Sequence, residues 1–123
     1  MKEALEIQNY GDTMTILDDV KYGLGILPTN DGFDNELLIN INSVAANLVQ
    51  LGIIDYDIVI DDGTTWPVLV NFQIEALIKQ YIIIKVKLIF DPSANQSITE
   101  ALKGSLPELE GRIKLIVEEE ALP

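Results

Sequence analysis

Residues 81–92, YIIIKVKLIFDP, constrain the fold more than any other stretch of the chain. Taken alone they read as a β-strand, because Ile82, Ile83, Ile84 and Val86 are β-branched and Lys85 and Lys87 alternate with apolar neighbours. The longer window reverses that reading. Val70, Ile74, Leu77, Tyr81, Ile84 and Leu88 are spaced four, three, four, three, four, which is a helical seam, and LVNFQIEALIKQY has no period of two. Each β-branched residue costs a helix only about 0.5 kcal/mol, and a six-position seam outweighs that. Glu75 stands four before Lys79, the favourable order for a helical ion pair. Thr65-Trp66-Pro67 supplies a start with proline in the first turn, and Pro92 disfavours helical geometry in its predecessor. One helix is expected over residues 67–90.

That helix carries more apolar surface than one core needs. Phe72, Ala76, Ile83 and Phe90 form a second stripe, and Ile82 with Ile89 a third. A helix apolar all round is buried on every side or spans a membrane. Glu75, Lys79, Lys85 and Lys87 are expensive in lipid, so no membrane span is expected. A chain of 123 residues has few elements with which to cover such a helix. Neighbouring subunits are the expected cover, with Phe72, Ile83, Phe90 and Trp66 as candidate interface residues. The alternative is a central helix wrapped by its own chain, and Trp66 reads equally well as a core plug.

The remaining elements follow from caps and periods. Thr15 can cap ILDDVKYGL, with Asp18 and Asp19 at the end of the helix dipole that favours acids and Gly25 as a stop. After the LPTNDG loop, Leu37, Ile41, Val44, Leu48 and Leu51 form the seam of a helix expected from Asp31 to Leu51, ended by Gly52. The period then changes. Ile54, Tyr56, Ile58 and Ile60 alternate with Asp55, Asp57, Val59 and Asp61, so 54–60 read as a strand or extended arm, closed by an Asp62-Gly63 turn. Ser97 suggests a short helix near 98–103, and Ser105 with Glu108 three later is a capping-box signature for a separate last helix. Leu106, Leu109, Ile113, Ile116 and Val117 form its apolar face, and Glu108–Arg112 and Glu110–Lys114 are helical charge pairs. Glu118, Glu119 and Glu120 then fall at the helix end that disfavours acids. They are a solvated tail or, with Ile113, Ile116 and Val117, a segment that docks a partner.

Composition narrows the chemistry. The 48% apolar content belongs to a folded chain. There is no cysteine, hence no disulfide framework, and a reducing compartment is permitted. There is no histidine, which removes the commonest general base, the commonest transition-metal ligand and any Ser-His-Asp relay. A net charge of -12 opposes a grip on phosphate backbones. The acid cluster DYDIVIDDG lacks the alternation and distal glutamate of an EF-hand, NDGFDNE fails the same test, and Gly23 and Gly25 form no phosphate loop. The first ten residues lack the apolar run of a signal peptide. Neither catalytic residues, metal ligands nor a cofactor are expected.

The order of elements resembles a known family. TILDDVKYGLGILPTNDGFDNELLININSVAANLVQLG is similar to the opening of the head–tail connector (adaptor, or head-completion) proteins of tailed bacteriophages, in which a threonine-capped short helix leads through an Asp-rich loop to a long helix. ALIKQYIIIKVKLIFDPS resembles that family's later long helix, and ELEGRIKLIVEE its closing one. The acidic segment 53–64 and Gly111 depart from the pattern. The resemblance implies a mainly α fold: a small bundle of about four helices with one short extended β-like arm or hairpin, in a single domain over 1–123. Within it, 1–14 would be an N-terminal arm, 53–64 the acidic segment, and 105–123 the closing helix and tail. It further implies a non-enzymatic virion protein, made in the host cytoplasm, that forms a homo-oligomeric ring, usually a dodecamer. The ring would sit between the portal protein and a neighbouring head–tail or tail-completion protein, with double-stranded DNA passing through unbound. Asp55, Asp57, Asp61 and Asp62 would line the channel or form an outer arm. A free-standing helical interaction or packaging accessory module is the other class these residues allow.

Overall fold

The computed structural model describes residues 14–54, 59–66, 74–90 and 96–121. These contain four helices: α1 (Ile16–Leu24), α2 (Asp34–Gln50), α3 (Glu75–Phe90) and α4 (Gln96–Ala121). The run YIIIKVKLIF is helical throughout. Ile74 stands in a turn ahead of Glu75, and 67–73 lie outside the described residues, so α3 as described is shorter than the expected helix.

The caps work as their residues dictate. Thr15 is extended, and its Oγ1 accepts the N–H of Asp18 at 3.0 Å. At the other end of α1, Gly25 takes φ 77°, its N–H donates to the Tyr22 carbonyl, and that of Ile26 donates to the Lys21 carbonyl. α2 ends in the same way: Gly52 has φ 78°, its N–H donates to Val49, and that of Ile53 donates to Leu48. Both are Schellman stops, which close orphan carbonyls through a left-handed residue. α2 begins at Asp34, three residues later than expected. Asn30 Oδ1 accepts from the Gly32 N–H and the Asp34 N–H reaches the Asp31 carbonyl, so 30–33 are consumed by turns.

α4 corrects the expected break near Ser105. It is one helix of 26 residues, about 39 Å long at 1.5 Å per residue, with Pro107 inside it and Ser97 in its first turn. Ser105 is no cap, and its hydroxyl donates to the Leu102 carbonyl at 2.7 Å. Leu102, Leu106, Leu109 and Ile113 are spaced four, three, four across the proline, so one helical register keeps them all against the core. Pro107 removes the N–H that Lys103 would have received, but both residues are exposed and water can serve that carbonyl.

α3 is the centre of the molecule, packed by α1, α2 and α4. Ile78, Tyr81, Ile82, Ile84 and Val86 are buried on it, Leu77, Ile83, Leu88 and Phe90 are half-buried, and Ile89 is exposed. The chain's own helices cover much of α3, while Ile83, Ile89 and Phe90 keep exposed apolar area. Ile53, Ile54, Ile60 and Trp66 complete the core from the segment between α2 and α3. Among the described residues there is no strand. An isolated antiparallel bridge joins Thr15 to Thr65, and the Ile16 N–H donates to the Thr64 carbonyl at 2.9 Å. Residues 55–58 of the expected arm lie outside the described set.

Candidate functional site

Three polar contacts fix the surfaces this molecule presents. Asn42, in mid-α2, treats residue 60 as a strand would: its Nδ2 donates to the Ile60 carbonyl at 2.9 Å, and its Oδ1 accepts the Ile60 N–H at 2.8 Å. Ile60 is thereby held in the core while Val59 beside it is exposed, as the alternation predicts. Beyond it, Asp61 closes a turn, accepting from the Gly63 N–H and the Thr64 hydroxyl, both at 2.9 Å. The Gly63 N–H, followed by the Thr64 hydroxyl, holds the Asp61 carboxyl below its ordinary range. Asp61 and Asp62 face solvent, and Asp55 and Asp57 lie outside the described residues.

The second contact joins α1, Trp66 and α3. The Trp66 indole N–H donates to Asp19 Oδ2 at 2.6 Å, and Lys79 Nζ reaches the same oxygen at 3.2 Å while lying over the indole ring. Trp66 is only 2% exposed, which gives it the core position of its two readings. Lys79 turns to Asp19, a partner sixty residues away in the chain, although Glu75 stands at the local pairing distance. The third contact is Lys21, buried at the end of α1, whose Nζ donates to the Pro28 carbonyl and pairs with Asp34 at 2.9 Å. It ties α1 and its following loop to the start of α2.

Lys21, Asn42 and the tertiary role of Asp19 escaped the sequence reading. Lys21 alone left a trace: it lies four after Leu17, on the apolar face of α1, where a lysine is out of place. Asn42 left none, since its partner is eighteen residues away and is a backbone group.

The other candidate residues fall in different settings. Ile83 is half-buried, with its Cγ2 only 2.6 Å from where a Cβ on Gly23 would stand, and Phe90 packs edge-on against Phe33 at 5.2 Å. Both also keep exposed surface, and Phe72 lies outside the described residues. Ile113 is enclosed by the chain's own core, whereas Ile116 and Val117 are half-buried and Glu118 and Glu119 exposed; the Glu120 side chain is not described. Tyr81, on α3, donates its hydroxyl to Glu110 Oε1 on α4 at 2.7 Å. Burial first, then the Glu110 carboxylate, raises its pKa well above the ordinary tyrosine value.

A cleft of ≈ 190 Å³ between Leu51–Ile53 and Lys114, Val117 and Glu118 is below the size of usual ligand cavities. No group of three acidic, histidine or cysteine side chains among the described residues could hold a metal, and no helix is long and apolar enough to cross a membrane. What the molecule does offer is surface: Tyr22, Leu27, Ile39, Ile89, Ile98 and Leu115 are large, apolar and more than half exposed.

The described residues form a small helical bundle around one apolar core, with large apolar side chains exposed on several of its elements. Residues 16–120 match the family described as phage connector protein, and the chain belongs to it. The match spans all four helices. No curated protein and no solved structure matches the chain. Its role is that of a structural connector of the phage particle.

Proposed function

We propose that the protein forms a homo-oligomeric ring, a dodecamer, beneath the portal, and extends the DNA channel from capsid to tail. The family match over 16–120 carries this reading, because it takes in the whole helical core rather than one motif. The acidic balance supports it. A net charge of -12 gives a conduit wall that repels a phosphate backbone at short range and so lets DNA slide. Asp61 and Asp62 contribute to that wall, or to an outer arm against a neighbour, together with Asp55 and Asp57. The exposed parts of Ile83 and Phe90, with Phe72, are offered to the adjacent subunit. The half-buried Ile116 and Val117 and the glutamates after them face the portal or the next tail protein.

Sedimentation and negative-stain imaging of the purified protein test the ring directly. Rings with a central hole wide enough for duplex DNA are expected. A monomer at every concentration, alone and with portal protein, would overturn the reading in favour of an accessory module. Asn substitutions at Asp55, Asp57, Asp61 and Asp62 then separate channel from arm. Normal assembly with slower DNA ejection at low salt places the segment on the channel, and defective assembly places it at a protein contact.

A further inference from the structure

The middle of α4 holds the residues of a helix boundary inside an unbroken helix. Gly104, Ser105, Pro107 and Glu108 fall within five residues, and each suits a helix end better than it suits this interior. Glycine is a poor helix former, and a Cβ on Gly104 would meet nothing within 4 Å, so packing does not call for it. Glycine is also what this molecule uses to stop helices, at Gly25 and Gly52. The Ser105 hydroxyl turns back to the Leu102 carbonyl at 2.7 Å, rather than forward to an amide as a cap would. Pro107 deprives the Lys103 carbonyl of its helical donor. Glu108 stands at the reciprocal position of a capping box. A boundary here would put Lys103 at the end of one helix and Glu108 in the first turn of the next, each at the dipole end that favours its sign, although Glu100 a turn earlier weighs the other way. Gly111 differs, because neither a cap residue nor a proline follows it, and Leu109 and Ile113 on either side are buried.

The two sides of this boundary are held unequally. After it, Leu109 and Ile113 are buried, Leu106, Ile116 and Val117 pack on the core, and Glu110 accepts the Tyr81 hydroxyl at 2.7 Å. Before it, no residue of 96–103 is buried. Thr99 and Leu102 are half-buried and the others exposed, with Leu102 the apolar side chain that ties this segment to the core.

We propose that Gly104–Ser105 is a hinge, about which the first two turns of α4, residues 96–103, lift from the core while 106–121 stay in place. In the lifted form Gly104 takes the left-handed stop, the Ser105 hydroxyl accepts the Glu108 N–H, and the Glu108 carboxylate accepts the Ser105 N–H. Pro107 then lies in a first turn, where no donor is needed. The straight form has instead the packing of Leu102 and the backbone hydrogen bonds that cross the boundary. The lifted form is therefore a minor state of the folded protein, reached without opening the core. A neighbouring chain that binds Leu102, or the surface beneath it, selects that state. The hinge belongs to the single chain and does not depend on the ring.

The absence of cysteine allows a pair of spin labels at Gln96→Cys and Leu115→Cys, both exposed and nineteen residues apart on α4. One helix sets these positions about 28 Å apart, and lifting brings them closer. Labelled chains diluted into unlabelled protein report distances within one chain. Leu102→Ala loosens the first segment and should add a second, shorter distance, with helix content by circular dichroism near the parent level. Gly104→Ala and Pro107→Ala together in that background should abolish it. Hydrogen exchange of the parent is a second measure. Amides from Glu100 to Leu106 should share one protection, about tenfold or more below that of Leu109 to Val117. Glu108→Ala should raise that shared protection several-fold, and Glu108→Gln, which keeps the capping box, should leave it unchanged. A single distance in Leu102→Ala, or a second distance that survives both alanine substitutions, would overturn the hinge. So would protection that climbs steadily from Glu100 to Leu109 with no step, which is the pattern of a fraying end.

Discussion

Replacing Asn42 by leucine should loosen the segment that joins α2 to α3 without disturbing the helices. The side chain makes two bonds to Ile60, at 2.9 and 2.8 Å, and Ile60 is 1% exposed. Leucine is nearly isosteric and leaves no room for a water, so the Ile60 N–H and carbonyl would both lose their partner. Each unsatisfied buried group costs about 1–3 kcal/mol, and the better helix propensity of leucine returns about 0.5 kcal/mol. The net loss is then about 1.5–5.5 kcal/mol, a fall in Tm on the order of 10 °C for a domain of this size. Urea denaturation measures the total, and hydrogen exchange locates it. The Ile60 amide should exchange far faster, while Leu37, Ile41 and Val44 keep their protection. Asn47, exposed on the same helix, is the control, and Asn47→Leu should stay within about 0.5 kcal/mol of the parent. Parent-like stability of Asn42→Leu, with the Ile60 amide still protected, would show that these two bonds do not hold the segment.

Other perturbations test the remaining contacts. Asp19→Ala strands the indole N–H of Trp66 and should cost about 1–3 kcal/mol; the emission of this sole tryptophan should change with it, and an unchanged spectrum and midpoint would refute the contact. Tyr81 holds its proton more tightly folded than unfolded, so its contribution is intact below pH ~10 and is lost as pH rises beyond that; Tyr81→Phe should flatten the alkaline limb of a stability–pH curve, and an unaltered limb would refute the assignment. Glycine substitutions should divide by position. Gly23→Ala drives a Cβ to 2.6 Å from Ile83 and should cost about 1–3 kcal/mol, whereas Gly104→Ala meets open space and should raise monomer stability by about 1 kcal/mol, both read from denaturation midpoints.

What the sequence determined by itself is the helical character of the chain and several of the helix ends. The six-position seam through Tyr81 and Leu88 overrode a β-branched run, and α3 is helical there. Thr15, Gly25 and Gly52 act where they stand, because a cap or a Schellman stop is completed by backbone groups within five residues. The alternation that buries Ile54 and Ile60 and exposes Val59 is equally local. The tertiary structure decided everything that depended on a distant partner. How much of α3 its own chain covers depends on how α1, α2 and α4 close round it, a matter of three-dimensional wrapping that no periodicity encodes. Ser105 and Glu108 carry a valid capping signature, yet the lane from Leu102 to Ile113 has more to gain by staying in one helical register on the core. Asn42 with Ile60, Asp19 with Trp66 and Lys79, and Lys21 with Pro28 and Asp34 are set by loops that bring separate segments together. A side chain's local pattern gives its face on a helix. Its partner across the fold depends on where the whole chain turns.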